Sequence, residues 1–170
     1  VRLMSALEET LELLEWPRLC QHLSSFASTR QGRRHCRLGS LPDTLPESIT
    51  LQARTLEMAS LDGLLDGGLS FRGVGDLEMT LLRCSKGGVA SGEELLTVAD
   101  TLGAARRLRR QIDDPELRPV CTALLVDVAT FPELEQQLKF AIEEGGRVAD
   151  RASAVLEGLR RQWQEMRSRR

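Results

Sequence analysis

An all-α fold is what this sequence predicts, and three observations predict it. Leucine dominates the apolar set, tyrosine is absent and aromatic residues make up only 4%, a composition that suits leucine-packed helices better than sheets. Apolar residues recur at spacings of three and four through most of the chain. Helix-start chemistry, hydroxyl or carboxylate caps followed by Glu or Pro, punctuates it at regular intervals. A length of 170 residues fits one domain, or one domain with an extension.

The elements follow in order. SALEETLELLEW carries Leu7, Leu11 and Leu14 on one helical face, and Pro17 either interrupts this helix or opens the next. PRLCQHLSSF continues with Leu19, Leu23 and Phe26. Ser28 is the expected cap of a third helix, TRQGRRHCRL, which stops at Gly39. SLPDTLPES, with two prolines, is expected to be a loop. From Glu47 to Leu61 the positions Ile49, Ala53, Leu56 and Ala59 predict another helix. The Gly-rich stretch DGLLDGGLSFRGVGD is the least regular part of the chain, with room for a short extended piece over Leu69 to Val74. Its G-V-G-D holds no full dinucleotide fingerprint.

Asp76 is placed to cap a short helix reaching Cys84. Leu95, Val98, Leu102, Ala105, Leu108 and Ile112 then mark a long amphipathic helix, whose Arg106, Arg107, Arg109 and Arg110 suit the helix dipole and are expected to form a solvated face, with nucleic-acid contact the alternative. Asp114-Pro115 is expected to start the next helix, with Pro119 restricting or restarting it. Thr130 and Glu133 form a T-x-x-E box ahead of Leu134, Leu138, Ala141 and Ile142. EEGGRVAD breaks the pattern, and DRASAVLEGLRRQWQEMRSRR is helical without a stop signal, as expected of a chain cut inside a longer helix.

The stretch RCSKGGVASGEELL, residues 83–96, has the ingredients of a phosphate-binding loop in the wrong order. A P-loop needs G-x-x-x-x-G-K-[ST], whereas Lys86 precedes the glycines and Gly92 is followed by Glu93 and Glu94. Two carboxylates at a helix mouth repel phosphate while suiting the helix dipole. Ser91 and Glu94 instead match a capping box, and Gly87-Gly88 let the chain reverse between two helices.

A net charge of −2 argues against a global basic field. No apolar run reaches membrane-spanning length and no secretory leader is evident, so a cytoplasmic location is expected, with no membrane partner. Met4 is a candidate natural start, which would make Val1 to Leu3 additional. Cys20, Cys36, Cys84 and Cys121 contain no C-x-x-C pair and are expected to be buried free thiols. Cys20, His22, His35 and Cys36 lie within seventeen positions, but C-x-H and adjacent His-Cys are not zinc-ligand spacings. No metal site, catalytic constellation, cofactor site or small-molecule substrate site is expected in this chain.

Three stretches together resemble one family. LELLEWPRLCQHLSSFASTRQG is similar to the opening of the second bacterial MutS branch, endonuclease MutS-two. GDLEMTLLRCSKGGVASGEELLTVADTL resembles that branch's D-I/L-x-x-x-L-x-R-x-x-K-G-G segment, and EEGGRVADRASAVLEGLRRQ its D-x-A-S-x-x-L stretch leading into the lever helix. They occur in the family's order and cover nearly the whole chain.

The resemblance implies a multi-helix core domain of MutS type over residues 1–145, with a protruding, truncated lever helix starting at 146–170. It implies a homodimeric full-length protein with an ATP- and Mg-dependent hydrolase and usually a small nuclease domain, both outside this chain. It also implies action on branched DNA in recombination suppression, as a mismatch repair-like protein, or on rRNA in stalled ribosomes. On that basis the fragment is non-catalytic and couples a distal ATPase to a nucleic-acid clamp. The alternative is a stand-alone helical nucleic-acid-binding module. Its candidate phosphate contacts are Arg160, Arg161, Arg167, Arg169 and Arg170. Val155, Leu156, Leu159, Trp163 and Met166 form a narrow apolar stripe on the same helix, the expected interface for a partner helix.

Overall fold

The computed structural model describes residues 6–168; Val1, Leu3, Met4, Arg169 and Arg170 fall outside them. The fold is all-α. Nine α-helices run in order through the described residues: α1 Ala6–Leu13, α2 Trp16–Phe26, α3 Arg30–Leu38, α4 Leu45–Leu64, α5 Glu78–Ser85, α6 Gly92–Ile112, α7 Pro119–Ala123, α8 Pro132–Ala141 and α9 Ala154–Ser168. A 3-10 turn at Asp150–Ala152 precedes α9. No strand occurs among the described residues, and Leu69–Val74, where an extended piece was expected, is irregular with a turn at Arg72–Gly73. The only extended pairing described is a single antiparallel bridge between Ile142 and Val148.

Local chemistry sets the helix starts. Pro17 opens α2 in its first turn, behind Glu15, which adopts a left-handed φ of 49°. Thr29, not Ser28, caps α3: its hydroxyl accepts the Gly32 amide at 3.0 Å. Helix α4 begins at Leu45 and runs to Leu64, longer at both ends than expected. Pro46 is tolerated because first-turn amides have no intrahelical acceptor, and Thr44 supplies the cap. Asp76 sits one residue outside the cap position of α5, yet its carboxylate still accepts the Glu78 amide at 3.2 Å.

Two expected starts are displaced by proline. The residue before a proline is disfavoured in the helical region, although Trp16 and Leu45 take it at the first position of α2 and α4. Asp114 therefore closes only a single turn, accepting the amides of Glu116 and Leu117 at 3.2 and 3.1 Å, before Arg118 leaves the helical region and α7 starts at Pro119. The Thr130–Glu133 box does not form, because Phe131 precedes Pro132 and takes the cap position with no side-chain cap.

Packing is pairwise. α2 lies against α3, α6 against α8, and α4 against α7. The α2–α3 pair is tied at its open end, opposite the connecting turn, by the Trp16 indole donating to the Gly39 carbonyl at 2.9 Å, with Cys20 so close that a Cβ at Gly39 would stand 2.5 Å from its sulfur. In α6 the fully buried residues are Ala99, Gly103 and Ala104, while the larger positions picked by periodicity are half-buried. In α4 Leu61 is buried, whereas Ile49 and Leu56 are exposed. The thiols divide: Cys20 and Cys121 are buried, Cys36 is intermediate and Cys84 exposed.

The buried apolar set is small: Cys20, Leu61, Ala99, Ala104, Cys121, Ile142 and Ala149. The chain exposes 13374 Å². A self-contained monomer of 18.9 kDa would expose about 8,300 Å². The excess is roughly 5,000 Å² on that scaling, and many leucines, phenylalanines and valines face outward.

Candidate functional site

The terminal helix is where apolar and basic side chains share one exposed element. Leu156 is half-buried, and Val155, Leu159, Trp163 and Met166 stand exposed along α9. Trp163 is 56% exposed, and Arg167 stacks over its ring at 5.3 Å from the centroid. That cation–π contact covers one indole face and leaves the rest of the stripe uncovered.

The arginines of α9 have different attachments. Arg160 pairs with Asp150 and donates to the Val148 carbonyl at 2.8 Å, tying α9 to the turn that precedes it. The Arg160 hydrogen bond holds the Asp150 carboxyl below its ordinary range. Arg161 forms an i,i+4 pair with Glu157 at 3.1 Å. Of the five candidate phosphate contacts, Arg160 is thus a tether of the fold, while Arg161 and Arg167 lie on the exposed surface of α9.

The arginines near the end of α6 are not the freely solvated face expected from the sequence. Arg106 donates from Nε and Nη2 to the buried Glu135 carboxylate at 3.1 and 3.3 Å, and Lys139 donates to it at 3.0 Å. Arg107 donates to the Arg72 carbonyl at 2.7 Å, and Arg109 to that of Val128. These side chains bridge α6 to segments that sequence reading left unconnected. Hydrogen bonds from Arg106 first, then Lys139, hold the Glu135 carboxyl below its ordinary value despite burial.

The loop at residues 83–96 is an interhelical turn. Gly87 takes φ +81°, and the Gly88 amide returns to the Arg83 carbonyl at 3.0 Å. Ser91 and Glu94 form the reciprocal capping box at 3.3 and 2.7 Å. Glu94 also receives Arg83 and the Thr80 hydroxyl. The Arg83 bond, followed by the Ser91 amide, lowers the Glu94 pKa to about 2. A carboxylate occupies the place where a phosphate would need donors.

Sequence reasoning missed one carboxylate clamp. Glu57 of α4 accepts the amides of Val120 and Cys121 at 3.1 and 2.7 Å, capping α7 across more than sixty residues. Burial alone would raise its pKa, but the Cys121 and Val120 amides outweigh that and hold it low. Burial, then the neighbouring Glu57, pushes the Cys121 thiol up, away from thiolate reactivity. Among the described residues no group of three or more His, Cys, Asp or Glu side chains is placed to hold a metal. None of their helices is long and apolar enough to cross a membrane.

No protein-family model matches the chain. It is 41% identical over 160 residues to endonuclease MutS2 of Synechocystis, covering 94% of this chain and 20% of that protein. It is 33% identical over 164 residues to endonuclease MutS2 of Symbiobacterium thermophilum, and 29% over 168 residues to that of Bacillus mycoides. Over nearly its whole length this chain is similar to one part of the endonuclease MutS2 proteins. It spans about one fifth of the length of these relatives. Within the shared region lie the KGG turn of residues 86–88, the Ser91–Glu94 box and the start of α9.

Proposed function

We propose that this chain is a non-catalytic helical scaffold and lever root within a longer MutS2-type protein that acts on nucleic acid. The observation that carries this is the apolar stripe of α9, left exposed on a helix whose base is pinned by Arg160 to Asp150 and Val148. A helix clamped at one end and apolar along its outer side is suited to pack against a second helix and move with it. The occupant of the stripe in this reading is a lever segment from the remaining four-fifths of a MutS2-length protein. ATP and Mg would act in a distal ATPase of the homodimer. Its conformational state would reach a clamp on branched DNA or on a stalled ribosome through this scaffold.

The name endonuclease carried by the relatives supports nucleic acid as the substrate class. Hydrogen exchange on α9 tests the scaffold role. In a MutS2-length protein, amides from Val155 to Met166 should exchange at least about tenfold more slowly than in the 170-residue chain, as expected when a frayable helix gains a packed partner. Equal exchange in both, with the 170-residue chain diluted until it is monomeric, would refute it. The second reading, a module whose arginines alone grip nucleic acid, has support from the exposed Arg161 and Arg167 but leaves the apolar stripe unexplained.

A further inference from the structure

Helix α3 carries Arg30, Arg33, Arg34 and Arg37 and no acidic residue. These are the i, i+3, i+4 and i+7 positions of a single helical face. Like charges at those spacings disfavour an isolated helix, so the face is stabilised from outside. Asp76 pairs with Arg30 at 2.9 Å and Glu78 with Arg34 at 2.8 Å. Arg33 and Arg37 are held differently. The Nε of Arg33 donates to the Ala27 carbonyl at 3.0 Å, and the Nε of Arg37 to the Ser24 hydroxyl at 3.4 Å. Both guanidinium arms are thereby fixed at the inner nitrogen, while their outer Nη groups make no hydrogen bond among the described residues. The face borders an open groove of about 1040 Å³.

We propose that this arginine face grips the sugar–phosphate backbone of a nucleic-acid duplex, an assignment that rests on the nucleic-acid function proposed above. From Arg30 to Arg37 the helix rises about 10.5 Å, room for roughly three phosphates of one strand. Arginine forks suit phosphate oxygens, and contacts of this kind position a protein without reading sequence. Leu38 is the one large apolar side chain lining the groove, and the rest of its lining is polar or charged, whereas the core of a protein partner's interface is depleted of charge and rich in aromatic side chains. A nucleic-acid interface is polar and strongly basic. With Asp76 and Glu78 counted against the four arginines, the face keeps a net charge of +2.

Fluorescence anisotropy of the 170-residue chain with a mixed-sequence DNA duplex, at a series of salt concentrations, tests it. Arg33→Gln/Arg37→Gln and Arg30→Gln/Arg34→Gln are each compared with Arg18→Gln/Arg147→Gln, a pair of equal charge loss elsewhere on the surface, all checked for helix content. Each α3 pair should lower the magnitude of the log–log salt slope by about 2, and weaken low-salt binding roughly tenfold, with the control unchanged. If one α3 pair unfolds the chain, the other still decides. Duplex binding that none of the α3 substitutions alters would overturn this site and leave the nucleic-acid function standing. Equal losses in α3 and control pairs would overturn it too, as bulk electrostatics. So would a chain that ignores DNA but binds polyglutamate through α3, which would mark the face as a dock for an acidic protein.

Discussion

Arg106 and Glu135 join α6 to α8 through two hydrogen bonds at 3.1 and 3.3 Å, across 29 residues of sequence. The approach is close because Gly103 lies beneath them; a Cβ there would meet the Glu135 Oε1 at 2.7 Å. Glu135 is 7% exposed, whereas Arg106 and Lys139 are partly solvated and can rehydrate if it is lost. Glu135→Ala should therefore destabilise the chain by about 2 kcal/mol, within the range for hydrogen bonds to charged groups. Gly103→Ala should also destabilise, but much less in the Glu135→Ala background, because the clash partner is gone. Urea titration of both single variants and the double variant checks this; strict additivity would show that the two residues do not touch energetically.

Acid should weaken the fold over a defined window. Glu94, held at about 2 by Arg83 and the Ser91 amide, has an ordinary value of 4.5. A carboxylate depressed in the folded state adds stability that is complete above its unfolded pKa and is lost as pH falls through the folded one. Stability should hold down to about pH 4.5 and decline toward pH 2, with Glu135 contributing in the same direction. Glu94→Gln should flatten that decline while lowering stability at neutral pH. An unchanged slope of stability against pH in the variant would show that the Arg83–Glu94 pair is not formed in solution.

Ser91→Ala removes the hydroxyl that accepts the Glu94 amide at 3.3 Å. A loss of about 1 kcal/mol is expected, the usual effect of a deleted helix cap. Neither Ser91→Ala nor Lys86→Ala should change ATP affinity, because the 83–96 turn presents a carboxylate instead of phosphate donors. Calorimetry that detects ATP binding abolished by either variant would reinstate the loop as a nucleotide site.

Most helices were legible from spacing, and the capping box at Ser91 was legible to the residue. What spacing could not give was which face is buried. In α6 periodicity weights the large residues Leu95, Val98 and Leu102, but the buried ones are Ala99, Gly103 and Ala104, with Gly103 beneath Glu135 of α8 and Ala104 beside Gly73. Small residues permit close helix contact and leave no hydrophobic signal. Prolines displaced two starts, at Asp114 and Thr130, because a residue preceding a proline is disfavoured in the helical region and here Arg118 and Phe131 fall outside it. On α9 the apolar stripe was visible in sequence, but its exposure was not, since a buried helix shows the same pattern. Nor could charge patterning foresee that Arg106 and Arg30 reach acids 29 and 46 positions away.

Two glycines give opposite expectations under the same substitution. A Cβ at Gly92, at the start of α6, would stand 1.8 Å from the Gly146 carbonyl, so the 143–147 turn must move. Gly92→Ala should destabilise by about 1–3 kcal/mol, as overpacking does. Gly158 lies inside α9 with nothing within 4 Å of its would-be Cβ. Gly158→Ala should raise stability of the helix by about 1 kcal/mol, the propensity difference between the two residues. Circular dichroism melts distinguish them; destabilisation by Gly158→Ala would mean that another surface packs on α9 at that point.

Trp163 poses the sharpest question for the chain in isolation. Its ring is covered on one side by Arg167, and Val155, Leu159 and Met166 continue the exposed stripe. Burying a large apolar side chain is worth roughly 1.5–3 kcal/mol, so the stripe gains by finding any apolar partner. Without the lever segment proposed to cover it, α9 should pair with α9 of a second copy or fray beyond Gly158. Sedimentation of the wild type should then show either concentration-dependent dimers, lost in Trp163→Glu, or a monomer whose last ten described residues exchange rapidly. A strict monomer with a slowly exchanging α9 would mean that the stripe docks on its own domain, and the lever-root assignment would fall.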